Sequence, residues 1–319
     1  MPEAKRIALR CRSQAHEEVG MKEGWRTHAI GRHLVDVPAE AIVVEAYKYN
    51  DVEIELLPKI TTKAGFDYMV SQREKELRAA KHVKYGSLFV ERVSHENGSV
   101  TLISWNRPTG NVLYIFDTYF RAGSKSLKYS GEVSPDLKVS ALSTCQDLSG
   151  EWREIPQGEL PEGIGFVAGD TILVDKDFNR ESWELNIQLP DRPDVSFRLT
   201  AYAQTSVGPG LRVRTGGILP ALLGTVAGVG QLRNRARAVG PIEADEILVA
   251  GTQDGKRTYG FKWEAPGKAY SLAEPNLNAS LRVGESAYLT NKESFANDGE
   301  ALELWDGVVD SIRLRPGAV

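Results

Sequence analysis

Alternation of apolar and polar positions marks several strands along this chain. Over 258–263, Tyr259, Phe261 and Trp263 fall on one face, and Thr258, Gly260 and Lys262 on the other. In DVEIELLP (51–58) Val52, Ile54 and Leu56 alternate with Glu53 and Glu55, so the two acids face solvent. Two hairpins are predicted, SLFVERVSHENGSVTLISW (87–105) and EILVAGTQDGKRTYGFKW (246–263). Their Asn97-Gly98 and Asp254-Gly255 pairs suit tight turns that need φ > 0 at both central residues. A helical period appears elsewhere. EALELWDGVVDSIRLRP (300–316) carries Ala301, Trp305, Val308 and Ile312 on one stripe, flanked by Leu302 and Val309, with Asp298 as a cap. SALSTCQDLSGEWREIP (140–156) aligns Leu142, Cys145, Ser149 and Trp152. Two further helices are predicted. One carries Phe66, Met69, Val70, the stem of Arg73, Leu77 and Ala80, and the other Leu219, Leu222, Leu223, Val226, Val229 and Ala236.

These elements recur. LISWNRPTG (102–110) is echoed by FKWEAPG (261–267), with Trp105 and Trp263 158 positions apart, as are Pro108 and Pro266. NVLYIFDTYFRAG (111–123) corresponds to NLNASLRVG (276–284), and Pro156 to Pro316. Upstream, IGRHLVDVP (30–38) resembles AGDTILVD (168–175), and DVEIELLP resembles DVSFRLTA (194–201). Each half reads strand, strand, strand, helix, hairpin, strand, helix. The expected architecture is therefore α+β, an internal duplication giving two similar domains, each an antiparallel β-sheet packed with helices. The domains are expected at 25–156 and 157–319 after an N-terminal extension, 1–24, with a Pro/Gly-rich linker at 150–163. The second copy carries a longer connection, TAYAQTSVGPGLRVRTGG (200–217), which is a tolerated loop or a segment kept for binding.

Composition narrows the function. The 319 residues are 41% hydrophobic and 26% charged, enough for a real core. A formal net charge of −4 argues against nucleic acid, which needs a basic face, and favours a protein partner. Two cysteines, Cys11 and Cys145, are too few for a disulfide framework; two free thiols are expected rather than one bridge. The opening MPEAKRIALRCRSQAHEE has no apolar run after its basic residues, so it reads as no secretory leader. The longest apolar tract, GGILPALLGTVAGVG (216–230), is shorter than a membrane span and reads as a buried amphipathic helix.

No catalytic, cofactor or metal set emerges. There is no G-x-S-x-G elbow and no HExxH, and His16, His28, His33, His82 and His95 lack metal-ligand spacing. His28 and His33 are read on opposite faces of one strand. GTQDGKRT (251–258) sits in a hairpin and is a turn, not a phosphate loop. Glu243, Asp245 and Glu246 form a small acidic cluster whose catalytic use would need burial to raise one pKa. Trp105, Trp263 and Trp305 read as buried structural aromatics. The balance favours a binding protein, with an envelope scaffold or an enzyme of unrecognised chemistry as the alternatives.

The phrases EALELWDGVVDSIRLRPGAV, GKRTYGFKWEAPG and THAIGRHLVDVP resemble the immunity proteins paired with type VI secretion lipase effectors of the fourth class, over about residues 25–319. The resemblance implies a non-enzymatic bacterial protein that binds and inhibits a cognate α/β-hydrolase-type phospholipase and protects against self and sibling intoxication. It also implies a periplasmic site, with membrane association only through a leader absent from this chain. Two similar domains make a natural clamp over the effector's cap or active-site entrance. The expected contact residues are Leu211, Arg212, Val213 and Arg214 in the second-copy connection, read as exposed, arginine being favoured at interface hot spots.

Overall fold

The structure, a computed structural model, describes residues 22–95, 97–216, 229–253, 256–283 and 294–319. The first half runs β1 (Trp25–Ile30), β2 (His33–Pro38), β3 (Ile42–Tyr49), β4 (Val52–Leu56), α1 (Lys63–Ala79), β5 (Phe89–Ser94), β6 (Val100–Trp105), β7 (Tyr114–Ala122) and β8 (Lys125–Val133). After a 3-10 turn at Pro135–Leu137 it closes with α2 (Lys138–Glu151) and β9 (Trp152–Glu154). The second half repeats the plan. It has β10 (Phe166–Ala168), β11 (Thr171–Leu173), β12 (Ser182–Leu189), β13 (Arg192–Tyr202), α3 (Leu211–Thr215), β14 (Val229–Ala236), β15 (Asp245–Gln253) and β16 (Lys256–Ala265). It ends with β17 (Asn276–Val283), α4 (Asp298–Val309) and β18 (Arg313–Leu314).

Twelve strands form one antiparallel sheet in the order β14-β15-β16-β17-β13-β12-β3-β4-β8-β7-β6-β5. Outward from the centre, each half lays down its third, fourth, eighth, seventh, sixth and fifth strands, so the two topologies are the same. The halves join where β3 pairs with β12, Ser182 opposite Lys48 through Gln188 opposite Ile42. Two small sheets lie apart, β1-β2-β18 and β10-β11-β9. Each takes its third strand from the other half. A reciprocal backbone pair, Gly31 N to Val167 O and Val167 N to Gly31 O at 2.9 Å each, ties the two hairpins together.

This topology corrects the element-by-element reading. Each half has four strands before its first helix and four after it, then a helix and a short strand. IGRHLVDVP and AGDTILVD each hold a hairpin with a turn glycine, Gly31 (φ 56°) and Gly169 (φ 56°), where one strand was expected. His28 and His33 therefore lie on two strands. Trp105 ends β6 whereas Trp263 lies on β16, whose topological counterpart is β7, so that echo is one strand out of step. Period-two patterns are degenerate, and any hairpin followed by a similar turn can mimic another. Val229 and Ala236, expected on a helix, lie on β14. The rest of that helix reading (Leu219 to Val226), the Asp254-Gly255 turn and Cys11 lie outside the described residues.

Most of the helical stripes behave as their spacing demands, but Trp152, expected on a helix, lies on β9, and Ile312 lies beyond the end of α4. Phe66, Val70 and Leu77 of α1 pack on Val100, Leu102 and Tyr119. Cys145 of α2 is buried against Ile103 and Phe116 as a free thiol. Ala301, Trp305, Val308 and Val309 of α4 sink into the large central core with Phe197 and Phe261. The cap of α4 is Asn297, which accepts from Glu300 N at 3.1 Å, and not Asp298, which instead accepts from Arg257 and Tyr259.

Two buried charge clusters organise this core. Glu246, fully buried, accepts from Trp305 Nε1 at 2.8 Å and from Arg235 and Arg237, with Arg233 3.7 Å away. Between the halves, Arg32 donates to both Glu181 oxygens (2.8 and 3.0 Å) and to the carbonyls of Asp175 (2.9 Å) and Ala318 (2.6 Å). Burial pushes the Glu181 carboxyl up against the downward pull of Arg32. Arg315 donates to the carbonyls of Gly163 and Gly165 in the linker. Beside them His33 is buried with both ring nitrogens unpartnered.

Two tests follow from this packing. Gly31 adopts a left-handed φ, and a Cβ there would sit 2.1 Å from Trp183 Cδ1 of the other half. Gly31→Ala should cost about 3 kcal/mol by urea denaturation; an unchanged midpoint would reject this account of the seam. Burial, with Arg32 and Arg315, lowers the His33 pKa from 6.5 to about 4. The unfolded chain then holds more protons than the folded one between those values, so acid destabilises the fold. Stability should fall by about 3 kcal/mol as the pH drops from neutrality through that window. His33→Gln should flatten urea midpoints measured from about pH 7 down to about pH 4.

Candidate functional site

Register shows which side chains share a face. Across the sheet, Leu102, Asp117, Ser130, Glu53, Lys48, Ser182, Tyr202 and Asn276 stand opposite one another in succession, so all lie on the same surface. At one end α1 covers this surface over β6 and β7. At the other, α3 sits against β15, with Arg212 N donating to Asp245 Oδ2 at 3.2 Å and Arg214 Nη2 reaching both Glu264 oxygens at 2.6 Å. Between these two helices no described element covers β4, β3, β12 or β13 on this side. The opposite side carries the central core.

The open face is mixed in chemistry. Ile42 and Val44 of β3 are 55% and 48% exposed. Beside them in register come Gln188 and Asn186 of β12, then Ser196 and Arg198 of β13. Glu53 and Glu55 project on the first-half side, as their alternation predicted, and Arg198, Lys262 and Arg282 on the second-half side. Burial raises the Glu184 carboxyl, but hydrogen bonds from Arg198 and Asn186 outweigh it and hold the group below its usual range. Burial pushes the Lys262 ammonium down against the pull of Glu264, and Arg214, Arg282 and Arg198 push it further. The face therefore presents exposed aliphatics on β3 between flanks that carry charges of both signs, Lys48 and Lys128 standing beside Glu53 and Glu55.

A cleft of 530 Å³ closes one end of the face, lined by Lys48, Asp51, Arg180, Ser182, Tyr202 and Gln204 among others. Its walls come from both halves: the Asn50-Asp51 turn of β3–β4, both residues at positive φ, and the second-copy connection from Ala203 to Gly208. Asp51 and Arg180 pair across it at 2.7 Å. Beside it, Tyr270 is 68% exposed with φ 55°, its ring 5.2 Å from Phe178 and its N–H donating to Gln204 O at 2.8 Å. A bulky residue in that backbone region costs about 1–2 kcal/mol, offset here by the bonds that fix the loop.

The expected contact residues are only partly on offer. Leu211 is 6% exposed, which corrects its reading as a surface residue: it is the side chain by which α3 is planted on the sheet. Arg212 and Arg214 are half-exposed and already paired, to Asp245 with Asn234 and to Glu264. Val213 projects outward at 76% exposure. Sequence reasoning missed Ile42, Val44 and Tyr202. The signal was the run IVVEAYKY, apolar on both faces of one strand, which says that both faces of β3 want cover. Among the described residues no group of His, Cys, Asp or Glu could hold a metal ion, and no helix is long and apolar enough to cross a membrane. Arg214→Ala should leave buried Glu264, among the described residues, with only Lys262 as a charged partner, at 3.8 Å, and lower stability by about 1–3 kcal/mol, more than Arg212→Ala; equal small losses in thermal melts would show that the pair does not hold α3 in place.

Comparison with known proteins follows the same division into halves. Residues 26–135 match the Tle cognate immunity protein 4 N-terminal domain, and residues 159–317 its C-terminal domain. No curated protein matches the chain. Among solved structures, the apo immunity protein TplEi of the T6SS from Pseudomonas aeruginosa is 33% identical, with a TM-score of 0.87 over 93% of this chain and 99% of that one. A chain of the Tle4–Tli4 complex is 33% identical, with a TM-score of 0.86 over 92% and 99%. TplEi complexed with "L" peptide is 32% identical, with a TM-score of 0.82 over 92% and 99%. With two matched domains and a third of its residues shared over nearly the full length of solved relatives, the chain belongs to the Tle cognate immunity protein 4 family.

Proposed function

We propose that this chain is an immunity protein that binds a cognate type VI secreted lipase and blocks it stoichiometrically, with no chemistry of its own. Its fold is that of a protein seen in the Tle4–Tli4 complex, and a second relative is seen with a peptide bound. The observation that carries the reading is the open sheet face between α1 and α3, with Ile42 and Val44 exposed on its middle strand β3. The two halves, divided at residues 156 and 157, act as jaws, and a segment of the effector at its cap or active-site entrance occupies the space between them. Arg212, Val213 and Arg214 form the rim of the second jaw. Binding one conformation of a mobile cap shifts the lipase toward its closed state by the difference in affinity for the two states. The compartment that fits is the periplasm, where a secreted lipase meets membrane phospholipid.

Half-chains would be a poor test, because each small sheet borrows its third strand from the other half. The full chain with Ile42→Glu and Val44→Glu should melt as the wild type does, since both side chains are exposed. Its Kd for the cognate lipase, read by titration calorimetry, should rise roughly tenfold or more. Unchanged affinity in this variant and in Val213→Glu would remove the face from the interface.

A further inference from the structure

The loops at 80–88 and 106–113 form a tip on the first half that the reading above does not use. Their sequences, AKHVKYGSL and NRPTGNVL, hold Lys81, Lys84 and Arg107 and no acid, on a chain whose net charge is −4. Val83 is 76% exposed, Val112 70% and Tyr85 46%. Tyr85 stacks on Trp105 with ring centroids 4.8 Å apart and planes 10° from parallel, and Tyr114 packs on Trp105 at 4.5 Å, tilted by 40°. Trp105, read from sequence as a buried structural aromatic, is therefore only half-buried here.

The tip is rigid. Val83 N donates to Pro108 O at 2.9 Å, the His82 ring bonds Gly110 O at 2.8 Å, and Trp105 N donates to Leu88 O at 2.9 Å. His82 Nδ1 accepts from the backbone N–H groups of Lys84 and Tyr85. The fold has thus ordered two loops to hold aliphatic side chains in water, where they bury nothing of this chain.

We propose that this tip is a docking surface for an anionic lipid bilayer. Exposed valines, a Tyr–Trp–Tyr cluster and lysines on the same tip supply the groups that a membrane interface takes at acyl chain, headgroup boundary and phosphate. The alternative occupant is another protein, and two features weigh against it. Lysine is depleted at protein interfaces, and the two loops hold 17 residues together, against roughly 20–30 a side in a stable protein interface. Valine insertion and phosphate attraction are each weak and together give reversible attachment. Such contact would hold the protein at the surface on which a lipase works. It does not depend on the lipase-binding reading, because the vesicle sedimentation contains no lipase.

The full chain is sedimented with vesicles of phosphatidylglycerol and phosphatidylcholine, and with phosphatidylcholine alone. It should pellet with the anionic vesicles, with roughly tenfold less or none on the neutral ones, and added salt should release it. Val83→Glu with Val112→Glu should lower the partition coefficient roughly tenfold or more without changing the thermal melt, since both residues are exposed. Lys81→Gln with Lys84→Gln should erase the preference for anionic vesicles. Wild-type protein remaining in the supernatant with anionic vesicles, or the double glutamate variant pelleting like wild type, would overturn the proposal. So would a result in which these variants weaken lipase affinity while no vesicle binding is found, which would make the tip a protein contact.

Discussion

Seven residue pairs between β3 and β12 make one sheet out of two copies. Backbone hydrogen bonding at this seam fixes the two halves as a single body, where a flexible linker alone would leave them to tumble. It also decides which surfaces stay bare. Each copy covers the outer strands of its own sheet with its own helix, α1 or α3, and the strands brought to the middle lie beyond the reach of both. Joining two half-covered sheets at their uncovered edges therefore yields a trough walled at both ends.

Antiparallel pairing at a local two-fold would by itself leave an interface of backbone bonds and little else. The exchanged strands close it. β9 completes the hairpin of the second half and β18 that of the first, and turn glycines let each hairpin approach the neighbouring copy. Gly31 packs on Trp183, and Gly169 packs on Leu56. Arg32 lies at the centre, bidentate to Glu181 and bonded to two carbonyls, one of them near the C-terminus. A buried ion pair of this kind is weak evidence of net stability, because removing both charges from water costs several kcal/mol per ion. Its geometry does specify: a misregistered seam would leave a guanidinium buried without partners.

What could be read from the sequence was whatever repeats at helical period or stands at a tight turn. The stripes of α1 and α4, the hairpin at Asn97-Gly98 and the kinship of the halves all belong here. The seam did not show, because its pieces are short or ambiguous. β9 and β18 are three and two residues long and have no periodicity. β14, VGQLRNRA, is a polar edge strand with no alternation, so its ends were absorbed into a predicted helix. Glu246 reads in sequence as one acid in a cluster near a strand, and only the fold gathers around it Arg235 of β14, Arg237 just past that strand, and Trp305 of α4. The open face was half-legible. IVVEAYKY announces a strand apolar on both sides, but a sequence cannot say which side goes uncovered.

The two halves share a strand order, so a difference between matching strands is one that the fold itself does not require. The fold needs β3 and β12 equally, yet their outward residues diverge. β12 presents Glu184, Asn186 and Gln188, and β3 presents Ile42, Val44 and Ala46 at the same register. A solvated sheet face is stable with the first set; the second leaves apolar surface in water, at about 25 cal/mol for each Å² exposed. The connection at 203–210 has eight residues where the first half has six (57–62), and it runs beside the cleft, held to the 266–270 turn through Gln204 and Tyr270. The exposed aliphatics lie toward the Ile42–Gln188 end of the face, and the loop and the strained exposed tyrosine at its other end, beside Lys48 and Tyr202. Folding requires none of them, whereas a partner seated on that face would cover the aliphatics and contact the loop together.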